Sequence, residues 1–129
     1  MNELALAAIY CLMIAGGQTE TPHGYSAGYD LHMIRVDCET PTEVIEVGLD
    51  SRSSLDSIQQ ALFAAHLTGK TPVVLMIDRD GRVGPYETRI AAAARMAGVE
   101  YRRTTRDFLI RWQMTSWLRH FRAIPNTAS

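Results

Sequence analysis

Cysteine, lysine and long apolar runs are all scarce in this sequence of 129 residues. The two cysteines, Cys11 and Cys38, have no CxxC or Cys/His spacing, which does not fit a zinc site and predicts free thiols in a reducing, cytoplasmic compartment. The longest apolar stretch, 4–15, is too short to cross a bilayer and lacks the flanks of a signal peptide, so we expect no membrane association. No P-loop and no nucleophile-elbow motif is present.

The composition is that of an ordinary globular domain, with 47% hydrophobic and 21% charged residues. We therefore expect residues 1–129 to form one domain. The net charge of −1 conceals an asymmetry, because 1–60 is strongly acidic whereas 61–129 is strongly basic and contains the only lysine, Lys70. This split predicts either an acidic metal site beside a basic surface or two halves that attract each other.

The first half predicts a helix followed by strands. Apolar residues recur with a helical period over 3–15, and Gly16-Gly17 ends that helix. Residues 18–29 are rich in Gly, Thr and Ser and predict a loop, with room for a short strand at 23–26. Two β-type runs, 30–38 and 43–49, are separated by a short turn-prone spacer and predict an antiparallel hairpin.

The second half predicts alternating helices and strands. Its segments are a helix over 54–67 capped by Ser53 or Ser54, a buried strand over 72–77, a helix over 85–98, a strand over 99–103 and a final helix over 106–122 capped by Thr105, with Phe108, Trp112, Trp117 and Phe121 packed inward. The fold class expected is α/β, with a mixed central sheet covered by helices on both faces.

A sparse set of polar residues lies on this order of elements. Asp30 opens one strand in the run GYDL, Glu46 lies within VIEVG on the next, and Gln59-Gln60 follows on the helix. Motif and element order (helix, strand meander, helix, strand) resemble the restriction-endonuclease-like PD-(D/E)XK nuclease superfamily over residues 1–78, extended here by a C-terminal strand-helix-strand-helix. The resemblance implies that Asp30 and Glu46 bind Mg²⁺ or Mn²⁺, that Gln59 or Gln60 supports the site, and that Glu3 is an additional acid.

The chemistry implied is phosphodiester hydrolysis, in which a hard cation held by carboxylates stabilises charge and activates water. The sequence departs from the family pattern at Gly48, where the family has a lysine. Arg52 and Lys70 are the candidate phosphate-binding replacements, although arginine is a poor general base. Two functions therefore stay open: a Mg²⁺-dependent nuclease or DNA-processing subunit, and a catalytically inactive binding or assembly subunit of a larger complex.

A second acidic motif follows the buried strand 72–77. Asp78, Asp80 and Gly81 form a DxDG run that resembles the metal-binding motif of Toprim domains, in which case Glu46 is the distant glutamate. The simpler interpretation is a polar turn in which Gly81 supplies a positive φ.

The C-terminal segment is rich in arginine. Seven arginines lie between Arg95 and Arg122, interleaved with Tyr101, Trp112 and Trp117. This pattern predicts nucleic-acid contact through phosphates and bases. The alternatives are a solvated face, pairing with acids of the first half, and a protein partner or homo-oligomer.

Overall fold

A computed structural model describes residues 1–49 and 55–123. We number the α-helices and strands in chain order and treat the π-helix separately. The elements are α1 (Glu3–Ala8), the π-helix (Ile9–Ala15), β1 (Gln18–Ala27), β2 (Asp30–Glu39), β3 (Glu43–Leu49), α2 (Leu55–Thr68), β4 (Thr71–Asp78), α3 (Pro85–Ala97), β5 (Glu100–Thr105), α4 (Arg106–Met114) and α5 (Ser116–Ala123).

The strands form a mixed five-stranded sheet in the order β1-β2-β3-β4-β5. The first three strands are antiparallel neighbours, whereas β3, β4 and β5 run parallel. Parallel neighbours need a crossover between them, and the helices α2 and α3 provide it. The predicted α/β class and its mixed sheet are confirmed.

Alternation along β4 explains why both faces of the sheet are covered. Val73, Leu75 and Ile77 belong to the apolar cluster that includes α1, the π-helix and α4. Val74 and Met76 belong to a second cluster with α2 and α3. Because successive side chains of a strand point to opposite faces, one continuous apolar run can serve two cores.

The segment predicted as a loop over 18–29 is mostly strand. Nine residues of β1 pair with β2, and the register Ala27↔Asp30 closes the hairpin with a two-residue turn. Gly28 adopts a positive φ of 65° in that turn. The prediction was wrong because β1 is an edge strand, where polar residues and Pro22 are tolerated, so its composition resembles that of a loop.

The first helix and the cysteines also differ from expectation. The helix changes from α to π geometry at Ile9, within the predicted span 3–15. Cys11 and Cys38 form a disulfide with a Cα–Cα distance of 5.5 Å, so the prediction of two free thiols was wrong. Sequence spacing could not reveal this pair, because β2 returns to the π-helix only in the folded sheet. Gly17 is required beside it, since a Cβ there would lie 2.6 Å from the Glu39 carbonyl oxygen.

The predicted C-terminal helix is divided in two. Thr105 caps α4 by accepting a hydrogen bond from the Phe108 amide, as expected. The helix stops at Thr115, whose amide and hydroxyl both donate to the carbonyl of Arg111. Phe108 and Trp117 are exposed rather than packed inward, and Leu109 is the buried anchor of α4 instead.

Two of the predictions concern residues or side chains that the structure does not describe. The helix caps predicted at Ser53 or Ser54 lie outside the described residues. The side chain of Phe121 is also outside the described set. Within 1–49 and 55–123, no helix has the length and apolar character needed to cross a membrane.

Candidate functional site

The structure does not bring Asp30 beside Glu46. The antiparallel register of β2 and β3 pairs Cys38 with Ile45 and Glu39 with Val44. Continued by one residue, it sets position 37 opposite position 46. Asp30 is seven residues further along β2, about 23 Å at roughly 3.3 Å per residue, and lies exposed at the hairpin turn. The expected pairing of Asp30 and Glu46 therefore requires correction.

Asp37 is the acid that meets Glu46. Its Oδ2 accepts a hydrogen bond of 2.8 Å from the Val47 amide, where the regular ladder between β2 and β3 ends. The sequence held a signal for this pair. In an antiparallel hairpin, residues equally distant from the turn face each other, and 37 and 46 are equally spaced about the Pro41-Thr42 turn.

Glu46 is almost fully enclosed, with 3% of its surface exposed. Burial raises the pKa of Glu46 to about 9, and the negative charge of Asp37 and a hydrogen bond between the two carboxyls add to the shift. The charge of Glu20 acts in the same direction, whereas a backbone hydrogen bond from Asp37 opposes it. Glu46 consequently holds a proton at neutral pH unless a cation replaces it.

A cavity of about 490 Å³ opens in front of Glu46. Gln59 and Gln60 reach it from α2, as the resemblance implied, and Arg35 reaches it from β2. The rings of Tyr25 and Phe63 complete the polar and aromatic part of its lining. Glu46 thus faces amides, a guanidinium and two aromatic rings.

Glu3 lies on the other side of the acid pair. A smaller cavity of about 240 Å³ is lined by Glu3, Glu20, Asp37 and neighbouring apolar residues. Glu20 adopts a positive φ of 54°, rare for a residue with a side chain, at the β1 position facing Asp37. Across 1–49 and 55–123, however, no three His, Cys, Asp or Glu side chains converge as a metal site.

The two candidate phosphate-binding residues do not enter this site. Arg52 lies outside the described residues. Lys70 donates hydrogen bonds of 2.7 Å to Glu39 Oε2 and 2.8 Å to the Thr40 carbonyl oxygen. These three residues line a different cavity from that of Glu46. Burial raises the pKa of Glu39, but hydrogen bonds from Lys70, His23 and Thr21 outweigh it and leave that pKa lowered. Lys70 is thus committed to Glu39.

Asp78 is placed as the polar turn predicts. Its Oδ1 accepts hydrogen bonds from the amides of Asp80 and Gly81, at 2.9 and 2.8 Å, and Gly81 has a φ of 77°. Its Oδ2 forms an ion pair with Arg103. The parallel register sets Glu46 beside Val74, four residues before Asp78, so these acids do not gather at one point.

The arginines of the C-terminal segment divide into two groups. Arg102 pairs with Glu43 and Glu100, Arg103 pairs with Asp78 and Glu87, and Arg119 stacks 3.7 Å from the ring centre of Trp112. The contact between Arg102 and Glu43 joins the basic and acidic halves of the chain. Arg95 on α3 and Arg106 and Arg111 on α4 are exposed to solvent.

No model of a known protein family matches the chain, no curated protein matches its sequence, and no solved structure matches its fold.

Proposed function

We propose that the chain is a divalent-cation-dependent phosphodiesterase or DNA-processing subunit with a PD-(D/E)XK-like site, in which Asp37 and Glu46 are the metal-binding acids. One observation carries the proposal: two carboxyls on adjacent strands face each other between a cavity lined by Gln59 and Gln60 and one lined by Glu3. Asp37 takes the role that the sequence resemblance had given to Asp30.

The donor set fits Mg²⁺ or Mn²⁺. Both ions prefer carboxylate oxygens, and Mg²⁺ commonly takes only one or two protein carboxylates beside water and phosphate. When no cation is bound, burial and the neighbouring charge of Asp37 favour the protonated form of Glu46. A divalent cation would reverse that preference, because two negative carboxylates would then face a charge of +2.

When bound, the cation would stabilise charge on the phosphate and lower the pKa of an attacking water. The residues of the chain would hold and orient the reactants. Asp37 is fixed by the Val47 amide, Gln59 and Gln60 can bind water or a phosphate oxygen, and Arg35 can neutralise phosphate. Arg35 cannot serve as a general base, because a guanidinium keeps its proton.

A catalytically inactive binding or assembly subunit is the second candidate. Gly48 offers no side chain where the family has its lysine, and Lys70 is engaged by Glu39. These two features favour cation and nucleic-acid binding without hydrolysis. A Toprim-like site at Asp78 and Asp80 has less support, since both oxygens of the Asp78 carboxylate already accept hydrogen bonds.

The partner proposed is nucleic acid, reached through Arg35 and through Arg95 of the basic C-terminal half, which is exposed on α3. A protein partner or a second copy of the chain belongs to the assembly-subunit proposal. The cytoplasm stays the proposed location, and it requires that the disulfide resist reduction there, as intracellular disulfides of hyperthermophiles do.

Calorimetric titration with Mn²⁺, together with plasmid cleavage, tests the proposal. We expect wild-type protein to bind Mn²⁺, and Asp37→Asn and Glu46→Gln each to weaken binding by at least about tenfold. Asp30→Asn is the matched control and should bind like wild type. Metal binding that survives Asp37→Asn and Glu46→Gln but is lost in Asp30→Asn would overturn the assignment. Metal and DNA binding without cleavage would select the inactive subunit.

A further inference from the structure

A ladder of four rings connects the β1–β2 hairpin to α2. His32 stacks on Tyr25 with a centroid distance of 5.5 Å, and Tyr25 meets Phe63 edge-to-face at 4.8 Å. Phe63 then stacks with His66 at 6.2 Å. The two central rings are half-buried and the two outer rings are exposed, so the ladder lies at the surface rather than inside a core.

The ladder borders two concave surfaces. Tyr25 and Phe63 line the cavity in front of Glu46, where Arg35 is also located. Phe63, Gln59 and His66 line an open groove of about 640 Å³ between α2 and α3. Phe63 and Gln59 belong to both, so the concave surface is continuous from the acid pair, across the ladder, to the second helix.

The side chains along this concave surface are of the kinds that bind unpaired bases. Aromatic rings stack on the flat face of any base, and a guanidinium neutralises the adjoining phosphate. The side-chain amides of Gln59 and Gln60 each offer donors and an acceptor to the edge of a base. At about 490 Å³, the cavity falls in the range of roughly 300–1,000 Å³ that holds small organic ligands. A duplex keeps its bases stacked internally and cannot present their faces to these rings.

We propose that the ring ladder His32–Tyr25–Phe63–His66 and the adjoining cavity bind single-stranded nucleic acid, with a base against Phe63 and a phosphate at Arg35. This inference rests on the proposed function in that it names the form of polynucleotide presented to the acid pair. It requires no metal, because stacking and the arginine contact act on the strand itself.

Fluorescence anisotropy with short labelled oligo(dT), oligo(U) and a duplex, all in EDTA, tests the inference. We expect both single strands to bind more tightly than the duplex; a preference between them would tell DNA from RNA. Phe63→Leu should weaken binding about 5- to 100-fold, the loss of one stacked base. Arg35→Gln should weaken binding about 3- to 10-fold and lower the slope of log K against log salt by about 0.7.

Matched controls are available on the opposite side of the sheet. Phe108 is an exposed ring on α4 beside the half-buried Trp112, and Arg111 is an exposed arginine there. Phe108→Leu and Arg111→Gln should leave single-strand binding within about twofold of wild type. If Phe63→Leu does not fold, Arg35→Gln still decides, because Arg35 is exposed and its loss does not open a cavity.

Equal affinity for duplex and single strand would overturn the inference, and so would unchanged binding in folded Phe63→Leu or in Arg35→Gln. The outcome is independent of the cation test. Failure of Mn²⁺ to bind leaves an EDTA measurement untouched, whereas loss of single-strand selectivity with intact Mn²⁺ binding would overturn this inference alone.

Discussion

Two pairs of neighbouring carboxyls differ in the charged side chains that contact them: Asp37 and Glu46 lie on β2 and β3, whereas Asp78 and Glu87 lie on β4 and α3. Asp78 and Glu87 are both about 1% exposed, and Arg103 forms ion pairs with both. Asp37 and Glu46 are also close together, but no cationic side chain in the described part of the chain forms an ion pair with either. Arg103 therefore compensates part of the charge of the first pair, whereas the described arginines, lysine and histidines leave the second pair uncompensated.

The pKa values show what that difference does. Burial acts to raise the pKa of Asp78, but hydrogen bonds from Asp80, Gly81 and Arg103 outweigh it and hold that pKa well below its usual range. For Glu46, a backbone hydrogen bond from Asp37 opposes the effect of burial but does not outweigh it, and the pKa of Glu46 rises to about 9. Charge compensation turns the first pair into part of the scaffold, whereas its absence makes the second the better candidate for binding a cation.

The largest expected effect comes from removing the compensating cation. Arg103→Met leaves Asp78 and Glu87 together without their partner, so the free energy of unfolding should fall by about 3–5 kcal/mol. Urea denaturation measures this loss. Arg111→Met, an exposed arginine, serves as control and should stay within about 0.5 kcal/mol of wild type. A small loss in Arg103→Met would mean that the two pairs do not differ as described.

The disulfide gives the next largest effect. It links the π-helix to β2 at the residue after Asp37, and it spans a sequence separation of 27. Replacing both Cys11 and Cys38 by Ala should lower the free energy of unfolding by about 2–4 kcal/mol in non-reducing buffer. If the cross-link serves the scaffold and not the acid pair, the double variant should keep the pH dependence of Glu46 described next. Unchanged stability in the variant would show that the cross-link contributes nothing to the fold.

The pH dependence of stability isolates Glu46. Its pKa is about 9 in the folded chain against a reference of 4.5, so between these values the folded state binds more protons than the unfolded state. The contribution of this proton to the free energy of unfolding is fully present below pH 4.5. Between pH 4.5 and 9 that contribution declines as pH rises, with a slope on the order of 1.4 kcal/mol per pH unit.

Glu46→Gln should remove that slope, because the amide does not ionise, and the variant should be more stable than wild type at pH 8 in EDTA. Thermal unfolding at pH 6, 7 and 8 measures the comparison. Asp30→Asn is the matched control and should keep the wild-type slope, since Asp30 is exposed at the hairpin turn. An unchanged slope in Glu46→Gln would exclude Glu46 as the titrating group.

The sequence predicted most of the fold because local patterns determine most elements. The helical period, the glycine stops and the apolar run of β4 identified α2, α3 and β4 to within about two residues at each end. β1 was missed because edge strands carry polar residues, and being an edge strand is a tertiary property. The break at Thr115 was missed because no glycine or proline marks it in the sequence.

The candidate site divides in the same way. The sequence proposed Glu46, Glu3, Gln59 and Gln60 as site residues. Glu46, Gln59 and Gln60 line one cavity, and Glu3 lines another. Asp37 was missed in favour of Asp30, because the motif was matched by order along the chain and not by distance from the turn. In an antiparallel hairpin, residues at equal distances from the turn face each other. Positions 37 and 46 meet that condition, whereas positions 30 and 46 do not.

The sequence by itself determined the α/β class, the parallel half of the sheet and the acidic character of β2 and β3, since periodicity and composition act within a few residues. Tertiary structure alone decided which acids meet, which arginines neutralise them and that Cys11 reaches Cys38. Those outcomes depend on strand register and on the distance between side chains far apart in the chain, and Coulomb energy and covalent bonding are set by that distance.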